Sequence, residues 1–276
     1  MVDVCQWSRA DTIARLRVPT GSDDKYSRGV VALRTGSSAY PGAAVLGVEA
    51  AWRTGAGFVR YVGAGRPADA VIARRPETVT GADVGSTRVD AWVIGSGTDA
   101  EHRPGDEERA LHEILAGSVP VVVDAGALDL VRAATAPVVV TPHAGEFARL
   151  RRGLGLGDGE DRAEDALEVA AALHSVVLLK GATTLVASPD GAVLSVSAAP
   201  GWLATAGAGD VLAGILGALV ASNPEEALAE VAASAAWLHG HAATLASGVG
   251  GERAGHPIVA LDVAEAIPAA IGDLLS

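Results

Sequence analysis

The sequence predicts an α/β fold: a mainly parallel central sheet with helices on both faces. Two observations carry this. β-branched runs alternate with helical stretches along most of the chain, the pattern of βαβ units whose sheet is covered on both sides. Small polar or glycine-rich clusters follow the runs, at the carboxyl ends of strands where such sheets bind ligands. These clusters are Gly36-Ser37-Ser38, Gly95-Ser96-Gly97, Asp124 and Thr141-Pro142-His143.

Residues 1–27 mix charge with Pro19, Gly21 and Asp23-Asp24, which predicts a short helix and a loop. Gly29 to Leu33 is a buried strand candidate ending in the turn RTGSSAYPGA. Pro41 suits a helix start, and Ala43 to Trp52 is an alanine-rich helix stopped by Gly55 and Gly57. Phe58 to Val62 is the next strand, followed by a polar middle containing Arg74, Arg75 and Glu77. Asp90 to Thr98 reads as a strand meeting a glycine-rich turn, and His102 to Glu113 leads into a surface helix. Val119 to Leu128 and Pro137 to Glu146 repeat the strand-then-turn plan, Asp124 falling at the end of the first strand. Val176 to Ala187 contains a strand, a tight turn at Lys180-Gly181-Ala182 and a second strand, which Asp190-Gly191 turns back into AVLSV. From Pro224 onward helical patterns dominate. With no clean linker or internal repeat, residues 1–276 are expected to form a single domain.

Composition narrows the partners. In 276 residues there are 21 Lys plus Arg against 33 Asp plus Glu, a net charge of -12 that argues against a nucleic-acid surface. Only two lysines, Lys25 and Lys180, stand among nineteen arginines, so each is a candidate for a position that needs a compact point charge. The single Cys5 excludes an internal disulfide. No apolar run reaches the roughly 18 to 20 residues of a membrane span, and no signal-peptide pattern opens the chain. A cytoplasmic location without membrane attachment is the expectation.

The segment Thr205 to Ala221, TAGAGDVLAGILGALVA, is where the chemistry is expected. Its apolar residues recur at helical spacing behind the glycine-rich GAGD. The first N–H groups of a helix lack internal partners and carry partial positive charge, so they attract phosphate. Gly207 and Gly209 leave the backbone approachable. Asp210 would repel that phosphate, so it is either a cap or a general base for a hydroxyl proton. Lys180, with Gly181, Ala182, Thr183 and Thr184, offers charge and backbone donors to a phosphate, or forms an ordinary hairpin with a solvated lysine. His143 is a cap or a ligand contact in a βα turn. Glu146 is a first-turn carboxylate or an indirect, water-bridged magnesium contact. His239 and His241, two apart on a helix, do not share a face. Neither a zinc-like spacing nor a Walker-type phosphate loop is present.

In order, VIGSG, VVVDAGAL, VTPHAGEFARL, LLKGATTLVASPDG and ATAGAGDVLAGILGAL, preceded by KYSRGVVALRTGSSAYPGAAVLGVEAAWRTGAGFV, resemble the ribokinase-like superfamily. Within it they are most similar to the ADP/ATP-dependent NAD(P)H-hydrate dehydratases. The resemblance covers nearly the whole chain from Lys25 and implies a ribokinase-like fold. It also implies that Lys180, Gly181, Ala182, Thr183, Thr184 and Gly209 contact the adenine nucleotide, and that Ala43, Gly97, His143 and Asp210 line the site for the hydrated nicotinamide nucleotide. Related vitamin kinases usually have Asn in place of His143, so that residue favours the dehydratase. The chain departs from the family's pattern at Ala144, Ser96 and Gly126, which puts detailed geometry more in question than function.

The implied reaction takes NADH hydrate or NADPH hydrate plus ADP, or ATP, to NADH or NADPH. Asp210 accepts the hydroxyl proton, with Gly207 to Asp210 supplying backbone donors to the transferring phosphoryl group. Mg2+ is expected with the nucleotide, its direct ligands unassigned. The epimerase segment often fused ahead of the family does not lie within these residues, so a separate NAD(P)H-hydrate epimerase is the expected functional partner, and a homo-oligomer, a tetramer among the candidates, the expected assembly. The competing readings are a thiazole- or pyrimidine-type small-molecule kinase of the same superfamily and a non-catalytic nucleotide-binding module.

Overall fold

The structure is a computed structural model that describes residues 2–157 and 159–276. Its strands are β1 (Val4–Gln6), β2 (Val30–Arg34), β3 (Phe58–Val62), β4 (Val79–Gly81), β5 (Ala91–Ile94), β6 (Val121–Val123), β7 (Val138–Val140), β8 (Val176–Leu179), β9 (Thr184–Ala187) and β10 (Val193–Val196). They form one sheet in the order β1-β10-β9-β8-β7-β6-β5-β2-β3-β4. Neighbours pair in parallel except β9, which runs antiparallel to both β8 and β10. The predicted mainly parallel sheet is therefore observed, and the Asp190-Gly191 turn does close the β9–β10 hairpin.

Helices α1 (Arg9–Ile13), α2 (Pro41–Thr54), α3 (Arg66–Arg74), α4 (Gly105–Leu115), α5 (Ala144–Gly153), α6 (Arg162–Leu173), α7 (Ala208–Ser222), α8 (Leu228–Ser247) and α9 (Ala260–Leu275) cover both faces. Side-chain alternation along each strand divides the core in two. Val122 of β6 joins the cluster built with α2, α7, α8 and α9, whereas Val121 and Val123 join the cluster built with α4, α5 and α6. Because both faces are buried, the strands are continuous valine runs rather than alternating patterns.

The reading of residues 1–27 as helix and loop needs correction, because Val4–Gln6 forms β1, an edge strand parallel to β10, ahead of the short α1. All three of its residues are exposed, so no burial pattern marked it. The polar middle holds α3 and β4, and the stretch before β8 holds α6, capped by the Asp161 carboxylate on the N–H groups of Ala163 and Glu164. Among the described residues, no helix is long and apolar enough to cross a membrane.

α7 sets the depth of the site. A Cβ on Gly214 would lie 2.3 Å from the Gly47 carbonyl of α2, and one on Gly217 would lie 2.3 Å from Val93 of β5. Glycine at these two places lets α7 seat against both the sheet and α2, which holds its N-terminus at the carboxyl edge of the strands.

Candidate active site

The register of the central strands assembles the site. Ile94 pairs with Val123, and Val123 with Val140, so the residues that follow each strand emerge side by side. Asp124, only 3% exposed, collects three donors there. Ser96 Oγ donates to its Oδ2 at 2.9 Å, Thr141 Oγ1 to its Oδ1 at 2.8 Å and Lys180 Nζ to Oδ1 at 2.9 Å. Lys180 Nζ also lies 3.9 Å from Glu146 Oε2, close enough for attraction but not a hydrogen bond. Ser96, Asp124 and Thr141 were marked in the sequence as strand-end clusters, yet the convergence of Ser96, Thr141 and Lys180 on Asp124 follows only from strand order.

Asp210 sits in the first turn of α7, with Gly207 as the N-cap. Gly207 has φ 87°, a left-handed conformation unfavourable for residues with a Cβ, and a Cβ there would meet Leu46 Cδ1 at 2.6 Å. No side chain caps this helix, so the capping alternative for Asp210 is set aside. Burial, reinforced by the charge of Asp124 and opposed by Lys180, pushes the Asp210 carboxyl up to about 6. A Cβ on Gly209 would stand 3.4 Å from Lys180 Nζ, so the ammonium lies against the open first turn of α7. Lys180, at the end of β8, is thus brought to the turn that carries Gly209 and Asp210. His239 of α8 is buried in the same neighbourhood, and its Nε2 has no hydrogen-bond partner. Burial and the Lys180 charge hold its imidazole neutral, down to about 4, against the carbonyl of Ala208.

The β8–β9 connection from Lys180 to Thr184 is a tight turn between antiparallel strands. Arg162 Nη1 donates to the Thr183 carbonyl at 3.1 Å, Thr183 Oγ1 lies 3.0 Å from Ser197 Oγ, and a Cβ on Gly181 would sit 2.7 Å from Arg162 Nη2. Ala182 is exposed at its tip. The lysine is not the solvated hairpin residue of the simpler alternative, since it is tied to Asp124.

His143 is the N-cap of α5. Its Nδ1 accepts from the N–H groups of Gly145 at 3.0 Å and Glu146 at 3.4 Å, while Glu146 Oε2 accepts from the His143 N–H at 2.8 Å. Capping and ligand contact are compatible here, because the imidazole remains more than half exposed while bonded. Across the site, Gly97 has φ 67°, and its Cβ would fall 2.3 Å from the Ala43 Cβ. The two residues assigned to one subsite therefore touch. A cavity of about 840 Å3 opens beside Gly97 and Glu146 and is bounded further by Tyr40, Arg132 and Arg149. Gly97→Ala is expected to force α2 and the β5 turn apart, raising KM about tenfold for a substrate seated beside Gly97 while leaving the affinity of a phosphate ligand at the first turn of α7 intact. Steady-state kinetics with each substrate varied in turn checks this.

Among the described residues, no group of three or more His, Cys, Asp or Glu is placed to hold a metal ion. Glu146, largely buried, is a carboxylate that both lines the cavity and lies within 3.9 Å of Lys180.

A mostly parallel sheet with a carboxylate and glycine-opened helix N-terminus at its carboxyl edge is the architecture of the ribokinase-like proteins, and solved structures agree. The crystal structure of ADP/ATP-dependent NAD(P)H-hydrate dehydratase from Bacillus subtilis, co-crystallized with ATP/Mg2+, superposes with a TM-score of 0.84 at 28% identity, over 99% of this chain and 100% of that one. The Carb_kinase family model, NAD(P)H-hydrate dehydratase, matches residues 31–262. The chain belongs to the NAD(P)H-hydrate dehydratase family. It is 43% identical over 229 residues to the bifunctional NAD(P)H-hydrate repair enzyme Nnr of Mycobacterium tuberculosis, a match covering 80% of this chain and 47% of that protein. It is 35% identical over 243 residues to the ADP-dependent (S)-NAD(P)H-hydrate dehydratase of Xanthomonas campestris, covering 77% of this chain and 80% of that one. The chain spans about half the length of the bifunctional relatives it matches.

Proposed function

We propose that this chain is an ADP-dependent NAD(P)H-hydrate dehydratase, returning hydrated NADH or NADPH to the reduced coenzyme with formation of AMP and phosphate. The observation that carries the reading is Asp210, a half-buried carboxylate in the first turn of α7, pushed up to about 6, with Lys180 and the backbone of Gly209 beside it. At neutral pH it is mostly ionised and still basic enough to take a hydroxyl proton.

In this reading the C6 hydroxyl of the hydrate gives its proton to Asp210, and its oxygen bonds to the terminal phosphorus of ADP as the bond to AMP breaks. Lys180 and the free N–H groups at the start of α7 hold the transferring charge. Electrons from the ring nitrogen then expel phosphate from C6, and loss of the C5 proton restores the double bond. His143, Gly97 and Ala43 position the nicotinamide end, and Gly181 to Thr184 the adenine nucleotide. Mg2+ accompanies the nucleotide. The donor set fits an ion held mainly by phosphates and water, since magnesium is commonly bound through one or two carboxylates and Glu146, beside Lys180, is one that borders the cavity. When bound, the ion neutralises phosphate charge.

A functional link to a separate NAD(P)H-hydrate epimerase belongs to this reading, in keeping with the bifunctional hydrate repair enzyme of M. tuberculosis, of which this chain matches about half. A cytoplasmic setting and a homo-oligomer belong to the same reading, and analytical ultracentrifugation tests the latter. The enzymatic test is incubation with chemically hydrated NADH and ADP or ATP, following recovery of reduced-nicotinamide absorbance and phosphate release. Recovery with ADP supports the proposal. A stable phosphorylated product with a thiazole or pyrimidine alcohol, and no recovery with the hydrate, would instead establish a kinase.

A further inference from the structure

Asp124 is unexplained by the roles assigned so far. It directly precedes a 3-10 turn (Ala125–Ala127), where an aspartate ordinarily caps, yet its side chain makes no capping bond. Its carboxylate turns into the site instead and takes donors from three separate strand ends, Ser96 after β5, Thr141 after β7 and Lys180 after β8. A buried carboxylate is costly, and an apolar or amide side chain of similar size would ordinarily give equal stability. That points to a use for its charge.

Lys180 shows what the use is. An ammonium has three donors. One is given to Asp124 at 2.9 Å, and Glu146 at 3.9 Å attracts without bonding, so the head group is anchored from the sheet side with donors left for a phosphate oxygen. The anchor holds Nζ against the first turn of α7, beside Gly209. Without it, a four-carbon chain would sample several rotamers.

We propose that Asp124 is a positioning residue for phosphoryl transfer. Its carboxylate, braced by the Ser96 and Thr141 hydroxyls, pins the Lys180 ammonium at the mouth of α7 and places a second negative charge behind Asp210, keeping Asp210 a competent proton acceptor. The inference rests on the proposed dehydratase reading for its kinetic consequence but not for its electrostatic one. The charges bearing on Asp210 are Asp124, which raises its affinity for a proton, and Lys180, which lowers it. Glu146 acts through Lys180. His239, from α8, is uncharged in the working pH range.

This role has a signature that general loss of structure lacks. Asp124→Asn keeps the shape and an acceptor at the Oδ1 position for Thr141 but removes the charge, and Ser96 Oγ then accepts from the amide N–H instead of donating. The site becomes more positive, so ADP is expected to bind at least as tightly as to the wild type, while kcat falls about tenfold or more because the base is weaker and the lysine is loose. The titration midpoint of Asp210, followed by carboxyl-carbon NMR of the free protein and assigned with Asp210→Asn, moves to lower pH. Thr141→Val keeps the charge and loosens its brace, so kcat falls several-fold with the Asp210 midpoint unmoved.

An unmoved Asp210 midpoint in Asp124→Asn, or kcat within twofold of wild type, overturns the proposal. Weakening of ADP binding and turnover by the same factor also overturns it, in favour of a purely structural carboxylate. If Asp124→Asn does not fold, Ser96→Ala/Thr141→Val takes its place, and wild-type kcat in that variant overturns the proposal. Should the wild-type protein not process the hydrate at all, the dehydratase reading fails by itself. The NMR midpoints then still decide whether Asp124 sets the protonation of Asp210.

Discussion

Asp210→Asn is expected to reduce kcat for hydrate repair by about 10² to 10⁴, the range contributed by a positioned general base, while ADP binds as well or better. The asparagine keeps the shape of the first turn of α7 and removes only the proton acceptor and its repulsion of phosphate. Isothermal titration with ADP beside steady-state turnover separates the two effects, and turnover within a few-fold of wild type would remove Asp210 as the base. In the wild type, turnover should fall as pH drops through about 6, where the carboxyl becomes protonated. The same residue carries a stability penalty of the opposite sense. Its folded proton affinity is raised above that of the unfolded chain, so the folded state is disfavoured above the folded value and recovers as pH falls from about 6 toward the ordinary carboxylate range near 4. Asp210→Asn should therefore unfold at a higher urea concentration than wild type at pH 8, by about 2 kcal/mol, and show no such advantage at pH 4.

The largest expected loss of stability lies away from the site, at Glu49. This α2 residue is fully buried and pairs with Arg53 at 2.9 Å, Arg74 at 3.3 Å and Arg75. Arg74 extends the network to Glu265 of α9. Glu49→Gln leaves three guanidinium groups around a neutral amide and is expected to cost about 3 kcal/mol, the lower part of the range for breaking a buried pair, since the arginines reach solvent. Burial pushes the Glu49 carboxyl up, but Arg75, Arg53 and Arg74 outweigh it and hold the group below its usual range. With the folded value depressed, the stabilisation is complete above the unfolded carboxylate range and is lost as pH falls through the folded value. Urea unfolding of both proteins should show the gap at pH 7 closing in acid. A gap below about 1 kcal/mol at pH 7 would mean that the arginines are satisfied by water.

Much of the fold was legible because buried parallel strands have a strong local signature. The valine runs of β6 and β7 and the glycine-led α7 needed no partner to be recognised. Edge elements lack that signature. β1 is short and exposed on every residue, and α3 and β4 occupy a stretch whose arginines look like solvated charge until Glu49, distant in sequence, is found between them. The candidate residues were legible individually, as glycines, a strand-end lysine and an out-of-place aspartate, and the ordered resemblance joined them. Their coupling was not legible. Asp124 gave only the hint of its strand-end position, and His239 looked like one of two unrelated helix histidines.

The sequence by itself determined the layered α/β architecture, the glycine-opened helix start and the identity of the residues around it, because these depend on local backbone freedom, hydrophobic pattern and turn chemistry. Only the tertiary structure decided which charges act together. Strand order and register bring Ser96, Asp124, Thr141 and Lys180 to one edge, and the close seating of α7 on α2 and the sheet sets Asp210 behind them. Proton affinity and ammonium position depend on distance and burial, and neither exists until the strands have paired and the helix has docked.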